Sequence, residues 1–249
     1  MGEYEKPGLY NADCMEAMKC FPDGYFDLAI VDPPYGINVT GQHKAPVLVG
    51  GGGRPFRGYK MKADSRTQKY DSKIYHPFDD TVPPDENYFG ELFRVCKHAI
   101  IWGGNFFLDN LGRASCMIVW DKARRGMDQA DCEIAWTNIP GQNRVFNFKW
   151  NGMLQEDMKN KEERIHPTQK PVALYAWLLE RFAKPGDRIL DTHAGSASSL
   201  VACYRLGFDA WGFEIDKTYY SMARKRLADE MAQVTMFDEQ MDKIGKWEV

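Results

Sequence analysis

No two of the six cysteines form a C-x-x-C pair; Cys14, Cys20, Cys96, Cys116, Cys132 and Cys203 are scattered along the 249 residues. That pattern argues against a disulfide framework and against a thiolate zinc site, and fits small buried residues in a reducing compartment. The five histidines, His43, His76, His98, His166 and His193, lack ligand spacing, so no metal is expected. Long apolar runs are missing too. Runs such as residues 26–31 are far short of a membrane span. The opening Met1-Gly2-Glu3-Tyr4-Glu5-Lys6-Pro7 has no apolar core of a secretory signal, so the expectation is a cytoplasmic protein with no membrane partner. Disorder is excluded by 44% hydrophobic residues in a chain of this length.

A large net charge is also absent: the formal total is -3. Its distribution is uneven, however. Residues 41–76 hold eight of the 32 Lys and Arg and only two of the 35 Asp and Glu, a local +6 on a body of -9. A basic segment on an acidic body suits a local polyanion contact, although a solvated loop has the same composition. The run Gly50-Gly51-Gly52-Gly53 inside it reads as a flexible insertion within one domain.

Around the insertion, apolar runs alternate with helical spacing. Strands are expected at 9–10, 26–31, 99–102, 116–120, 132–136, 188–190 and 208–213, and helices at 14–21, 88–97, 171–183, 196–206 and 217–231. Asp13 sits where a cap for the first helix belongs, and Pro171 at the first turn of another. Strands alternating with crossover helices imply a mostly parallel α/β sheet with helices on both faces.

Ligands of such sheets bind at the carboxyl ends of strands, and three ends here carry chemistry. The first is Asp32-Pro33-Pro34-Tyr35. The prolines stiffen the backbone and remove two N–H donors, leaving carbonyls free to accept. Carboxylate, bare carbonyl and flat ring together suit a planar group with an exocyclic amine; an ordinary strand exit is the plain alternative. The second is Asp191-Thr192-His193-Ala194-Gly195-Ser196-Ala197-Ser198, where Gly195 permits a tight turn and Ser196 is placed to cap the next helix. It is too poor in glycine for a pyrophosphate. The third is Glu214, followed by Ile215, an acid about twenty residues on, where nucleoside-binding folds place a ribose acceptor.

Taken with Tyr10-Asn11-Ala12-Asp13 and with His166-Pro167-Thr168-Gln169-Lys170-Pro171, these runs resemble the β-class DNA amino-methyltransferases, catalytic motif first and cofactor motif second. The resemblance implies a Rossmann-like methyltransferase fold with a seven-stranded sheet and permuted motif order, a single domain over residues 1–249. It implies S-adenosylmethionine as cofactor, double-stranded DNA as partner with the target base flipped, and a homodimer as a further partner, although no interface is legible. Asp32, Pro33, Pro34 and Tyr35 would hold the base. Asp191, His193, Ala194, Gly195 and Ser196 would take the methionine part of the cofactor, with Thr168 and Lys170 on the same side and Asp32 adjoining. Glu214 and Ile215 would take the ribose, with Asp13 and the Ala12 backbone at the adenine end. The family usually has phenylalanine in place of His193 and glycine in place of Ala197.

The resemblance favours N6 of adenine, since aspartate-first relatives mostly modify adenine. N4 of cytosine is the alternative, as is a cofactor-binding module without DNA activity. DNA contacts are expected from Lys44, Arg54, Arg57, Lys60 and Lys62 on phosphates, with Tyr59 and Tyr70 stacking, and from Lys122, Arg124 and Arg125. Residues 143–165 are a small candidate recognition region.

Overall fold

The computed structural model describes residues 3–37, 81–125, 130–151 and 154–237. The elements in chain order are β1 Gly8–Tyr10, α1 Cys14–Met18, β2 Phe26–Val31, α2 Glu86–Val95, β3 Cys96–Trp102, α3 Leu108–Leu111, β4 Cys116–Asp121, β5 Cys132–Thr137, β6 Arg144–Asn147, β7 Trp150–Asn151, β8 Leu154–Gln155, α4 Val172–Phe182, β9 Arg188–Asp191, α5 Ser198–Leu206, β10 Asp209–Phe213 and α6 Lys217–Phe237.

One sheet has eight strands in the order β1-β10-β9-β2-β3-β5-β4-β6, and β7 and β8 form a separate ribbon. Five of its seven neighbouring pairs are parallel; β5 runs antiparallel to β3 and to β4. The eighth strand, one beyond the expected seven, is β6, which joins the edge beside β4 from within the candidate recognition region.

The central strands are apolar along most of their length because both faces are covered, with Asp27, Lys97 and Arg188 paired with one another at their starts. Along β2, Leu28 and Ile30 join a core with Leu174, Leu178, Leu200 and Val201 of α4 and α5. The alternate residues Ala29 and Val31 join a second core with Met18, Phe89 and Leu92 of α1 and α2. Helix α2 starts at Asp85, whose carboxylate accepts from the N–H groups of Asn87 and Tyr88, and buries Tyr88, Phe89, Leu92 and Val95. Burying side chains of this size contributes about 1.5–3 kcal/mol each. Among the described residues no helix is long and apolar enough to cross a membrane.

The order of the strands locates the site. From β9 the chain proceeds to β10 on one side, and from β2 to β3 on the other, while β9 and β2 lie side by side. The direction of winding therefore reverses between β9 and β2. A crevice opens at the carboxyl ends of such a pair, where neighbouring connections leave on opposite faces. Two segments far apart in sequence, Asp32-Pro33-Pro34-Tyr35 and the loop after Asp191, meet there.

Candidate active site

Asp32 follows directly on β2. Tyr35 folds back so that its hydroxyl donates to Asp32 Oδ1 at 2.6 Å, which fixes both groups. The ring stacks on Phe106 with centroids 5.0 Å apart and planes 17° from parallel. It also lies hard against Gly103, which has a left-handed backbone, φ +68; a Cβ there would meet Tyr35 Cε1 at 2.2 Å. Gly103 thus supplies the space that seats Tyr35.

Lys170 reaches the other oxygen of Asp32, and its Nζ stands 3.3 Å from the Tyr35 hydroxyl and 3.2 Å from Glu133 Oε2. Glu133 Oε1 is bonded by Lys122, whose ammonium lies 4.8 Å over the Trp120 ring. Asp32, Lys170, Glu133 and Lys122 form a chain of alternating charge. Burial alone would push the Glu133 carboxyl up, but Lys170 and Lys122 beside it hold it down at about 2. Burial likewise works against the Lys170 ammonium, and Asp32 and Glu133 overcome it, holding its pKa above the usual lysine value. Glu133 and Lys170 are therefore both charged at neutral pH.

The resemblance set Lys170 beside the methionine part of the cofactor, whereas its ammonium is spent on two carboxylates. Lys122 also differs from expectation. Its N–H bonds the Asp131 carbonyl at 2.9 Å, continuing the β4–β5 ladder and setting its side chain across from Glu133 rather than out toward a phosphate. Arg124 reaches the Trp150 carbonyl. Of Lys122, Arg124 and Arg125, Arg125 faces outward, paired with Asp121 at 2.7 Å. Lys44, Arg54, Arg57, Lys60, Lys62, Tyr59 and Tyr70 lie outside the described residues.

A cavity of about 860 Å³ runs from Asp32, Tyr35 and Phe106 past Lys170 and Thr168 to His193, Gly195, Ser196, Glu214 and Ile215. A smaller one of about 170 Å³ lies between Ala12, Asp13, Cys14 and Thr192, and shares His193, Glu214 and Ile215 with the first. Glu214 stands where the two meet. Its Oε2 accepts from Gly195 N at 2.9 Å and its Oε1 from Asp216 N at 2.8 Å, which leaves lone pairs on both oxygens for a ligand. Asn11 ties the ends of β1 and β10 by donating to the carbonyls of Glu214 and Ile215. Asp13 caps α1, accepting from Met15 N at 2.8 Å, and its exposed carboxylate borders the small cavity.

Asp191 is 4% exposed and sits beneath the loop instead of on the cavity wall. Its oxygens turn inward to the Ser199 hydroxyl and the His193 N–H, and burial pushes its carboxyl up to about 7. The loop after it makes two left-handed turns, at Gly195 with φ +52 and Ala197 with φ +59. Ala197, not Ser196, is consequently the residue that enters α5, and it offers no side-chain cap; Ser196 bonds the Ser198 hydroxyl at 3.0 Å instead. His193 packs edge-on to Tyr88, and burial lowers its pKa to about 4. At neutral pH it is an uncharged aromatic wall, the part a phenylalanine would play.

Glu133 and Phe106 are the site residues that local patterns missed. An acid between apolar neighbours in β5, Cys132-Glu133-Ile134-Ala135-Trp136, was the available signal for the first.

The sequence pattern of the N6/N4 DNA methylase family, described as DNA methylase, matches residues 101–225. That span is half of the chain, and the chain belongs to this family. It is similar to the Type II methyltransferase M.HpaI of Haemophilus parainfluenzae, 37% identical over 84 residues, which are 34% of this chain and 27% of that protein. It is similar to the Type II methyltransferase M.HinfI of Haemophilus influenzae, 24% identical over 89% of this chain and 68% of that one. In fold it is similar to a putative DNA modification methylase from Thermus thermophilus complexed with S-adenosyl-L-methionine, with a TM-score of 0.52, 18% identity and coverage of 90% and 95% of the two chains.

Proposed function

We propose that this chain transfers the methyl group of S-adenosylmethionine to the exocyclic N6 amine of adenine in double-stranded DNA, with the target base flipped out of the duplex. The observation that carries the reading is the meeting of Asp32-Pro33-Pro34-Tyr35 with the loop after β9 at one crevice, joined by a continuous cavity to Glu214.

The cavities fit the cofactor. A small cavity, a carboxylate with spare lone pairs at its mouth and a larger cavity beyond it match a planar base, a ribose and an amino acid in line. Glu214 would accept from the ribose hydroxyls. Ala12, Asp13 and the neutral ring of His193 border the space for adenine. Ala194, Gly195, Ser196 and Thr168 line the larger one, and Asp191 from below holds the His193 N–H that shapes the loop. When bound, S-adenosylmethionine supplies an electrophilic methyl group.

The residues of the chain act on the amine. An exocyclic amine is a weak nucleophile because its lone pair is delocalised into the ring. Asp32 and the Pro33 carbonyl accept its hydrogens, which favours a tetrahedral nitrogen with a localised pair. Tyr35 offers its face to the base and, through its bond to Asp32, keeps face and carboxylate in fixed relation. The methylated nitrogen, positively charged, then gives up one hydrogen as a proton to the Asp32 carboxylate that accepts it, from which it passes to solvent. No covalent bond to the chain forms, so positioning supplies much of the rate.

Lys44, Arg54, Arg57, Lys60 and Lys62 are proposed as phosphate contacts together with Arg125. Nucleoside mass spectrometry tests the reading. Unmethylated DNA incubated with the protein and S-adenosylmethionine should yield N6-methyladenine. N4-methylcytosine would overturn the choice of base, and the absence of any methylated nucleoside would overturn the activity.

A further inference from the structure

Lys170 stands where the reaction needs room. Its ammonium bonds one oxygen of Asp32, stands 3.3 Å from the Tyr35 hydroxyl that bonds the other, and lies 5.7 Å from the centres of the Tyr35 and Trp102 rings. A neutral amine competes poorly with an ammonium for a carboxylate, because the ammonium adds the attraction of opposite charges to its hydrogen bond. Lys170 and Tyr35 each take one lone pair of Asp32, and the ammonium draws charge from what is left, so Asp32 is the stronger acceptor for the target amine when Lys170 is drawn off it.

A buried ammonium cannot simply be released; leaving it without an anion is costly. Lys170 has a side-chain exposure of 3%. The second anion within its reach is Glu133. Lys122 holds Glu133 Oε1, whereas Oε2 is buried and lies 3.2 Å from Lys170 Nζ, within ion-pair distance. One carboxylate oxygen is thus turned toward the lysine while Lys122 holds the other.

We infer that Glu133 is a positioning residue that receives the Lys170 ammonium when Asp32 turns to the target amine. Lys122 anchors Glu133 on its far side, so the receiving oxygen stays in place while the lysine shifts between the two carboxylates. Two segments separate in sequence, β5 and the run before α4, thereby set when Asp32 is open. The inference rests on the reading that Asp32 takes the amine.

The test is a pair of variants compared with the parent protein: Glu133→Gln, and Glu133→Gln combined with Lys170→Met. Turnover and KM on DNA are measured alongside S-adenosylmethionine affinity and thermal melting. Glu133→Gln should lose about 30-fold in kcat with KM for DNA changed by less than about threefold, since it traps the lysine on Asp32. Removing the lysine as well should restore at least about tenfold of that loss, which a merely structural role for Glu133 would not do. Turnover of Glu133→Gln within about threefold of the parent, or a double variant no faster than Glu133→Gln, overturns the inference. Should Glu133→Gln not fold, the comparison is made on Glu133→Asp, which keeps the charge and withdraws the carboxylate, with and without Lys170→Met. A parent protein that methylates no nucleoside overturns the functional reading, and this inference with it. An active parent whose variants fail the comparison overturns this inference alone.

Discussion

Replacing Gly103 with alanine probes the placement of Tyr35 without touching any polar group. Gly103 has φ +68, a conformation that costs an L-residue about 1–2 kcal/mol. The added Cβ would lie 2.2 Å from Tyr35 Cε1 and 2.6 Å from Cδ1 and Cζ. Those atoms belong to a rigid ring stacked on Phe106 and tied to Asp32, so it cannot give way without leaving both. Overpacking of this kind costs about 1–3 kcal/mol. If the ring holds its place, the whole of about 2–5 kcal/mol appears as lost stability; if the ring moves by about 1 Å, turnover falls about 100-fold. Gly207→Ala is the control. Gly207 has the same left-handed backbone, φ +75, with nothing within 4 Å of an added Cβ. It should cost about 1–2 kcal/mol in melting and leave kcat unchanged. Melting curves and methyl-transfer rates on both variants decide the matter. Gly103→Ala with kcat within about twofold of the parent and a stability loss no larger than that of Gly207→Ala would refute the seating of Tyr35 described here.

Other perturbations follow from the same geometry. Glu214→Gln leaves one of the two N–H groups, of Gly195 or Asp216, facing an amide donor, and should weaken S-adenosylmethionine binding by about 1–3 kcal/mol in calorimetry; unchanged affinity would contradict the role given to Glu214. Ala197→Gly relieves a left-handed alanine but gives up a buried methyl and adds chain entropy, terms of about 1–2 kcal/mol on each side, so its melting temperature should stay within about 3 °C of the parent. His166 and Asp191 pull stability in opposite directions between pH 7 and 4. His166, with its pKa lowered to about 4 by burial, binds its proton more readily in the unfolded chain, so its contribution is lost as pH falls through 6.5 toward 4. Asp191, raised to about 7, binds its proton more readily when folded, so stability is gained as pH falls through 7 toward 4. Denaturant titrations at the two ends of the window should find the acid-side loss shallower by about 3 kcal/mol in His166→Asn and steeper by about 4 kcal/mol in Asp191→Asn.

Much of the sheet is legible in the sequence because its signals are local. Residues 26–31 announce β2 by a run that is apolar but for Asp27, and Asp13 announces the start of α1 by its capping chemistry. That Asp32 and the loop after Asp191 share one edge of the sheet is legible from strand ends, while the pairing of β2 with β9 that brings them together is set by the strand order. The antiparallel insertion of β5 between β3 and β4 is not legible, because alternation along β5 is the same whichever neighbour it pairs with. Ser196 reads as the cap of α5 from its residue type, but the left-handed turn at Ala197, which shifts the start of the helix, is a tertiary outcome. The largest miss is electrostatic. Lys170 and Asp32 are separated by 138 positions, and no spacing rule connects them; Lys122 reads as a surface cation until Glu133 is placed opposite. Phe106 lacks a periodic signal because it sits on a single 3-10 turn, Gly104–Phe106.

The central claim is that Asp32 acts on the target amine while the cofactor is held by other residues. The most direct measurement compares the parent protein with Asp32→Ala, scoring methyl groups transferred from S-adenosylmethionine into unmethylated DNA and, on the same preparations, S-adenosylmethionine affinity by calorimetry. The account predicts transfer by the parent, near-complete loss in Asp32→Ala, and cofactor affinity within about threefold between the two. Transfer by Asp32→Ala at a rate comparable to the parent would contradict it.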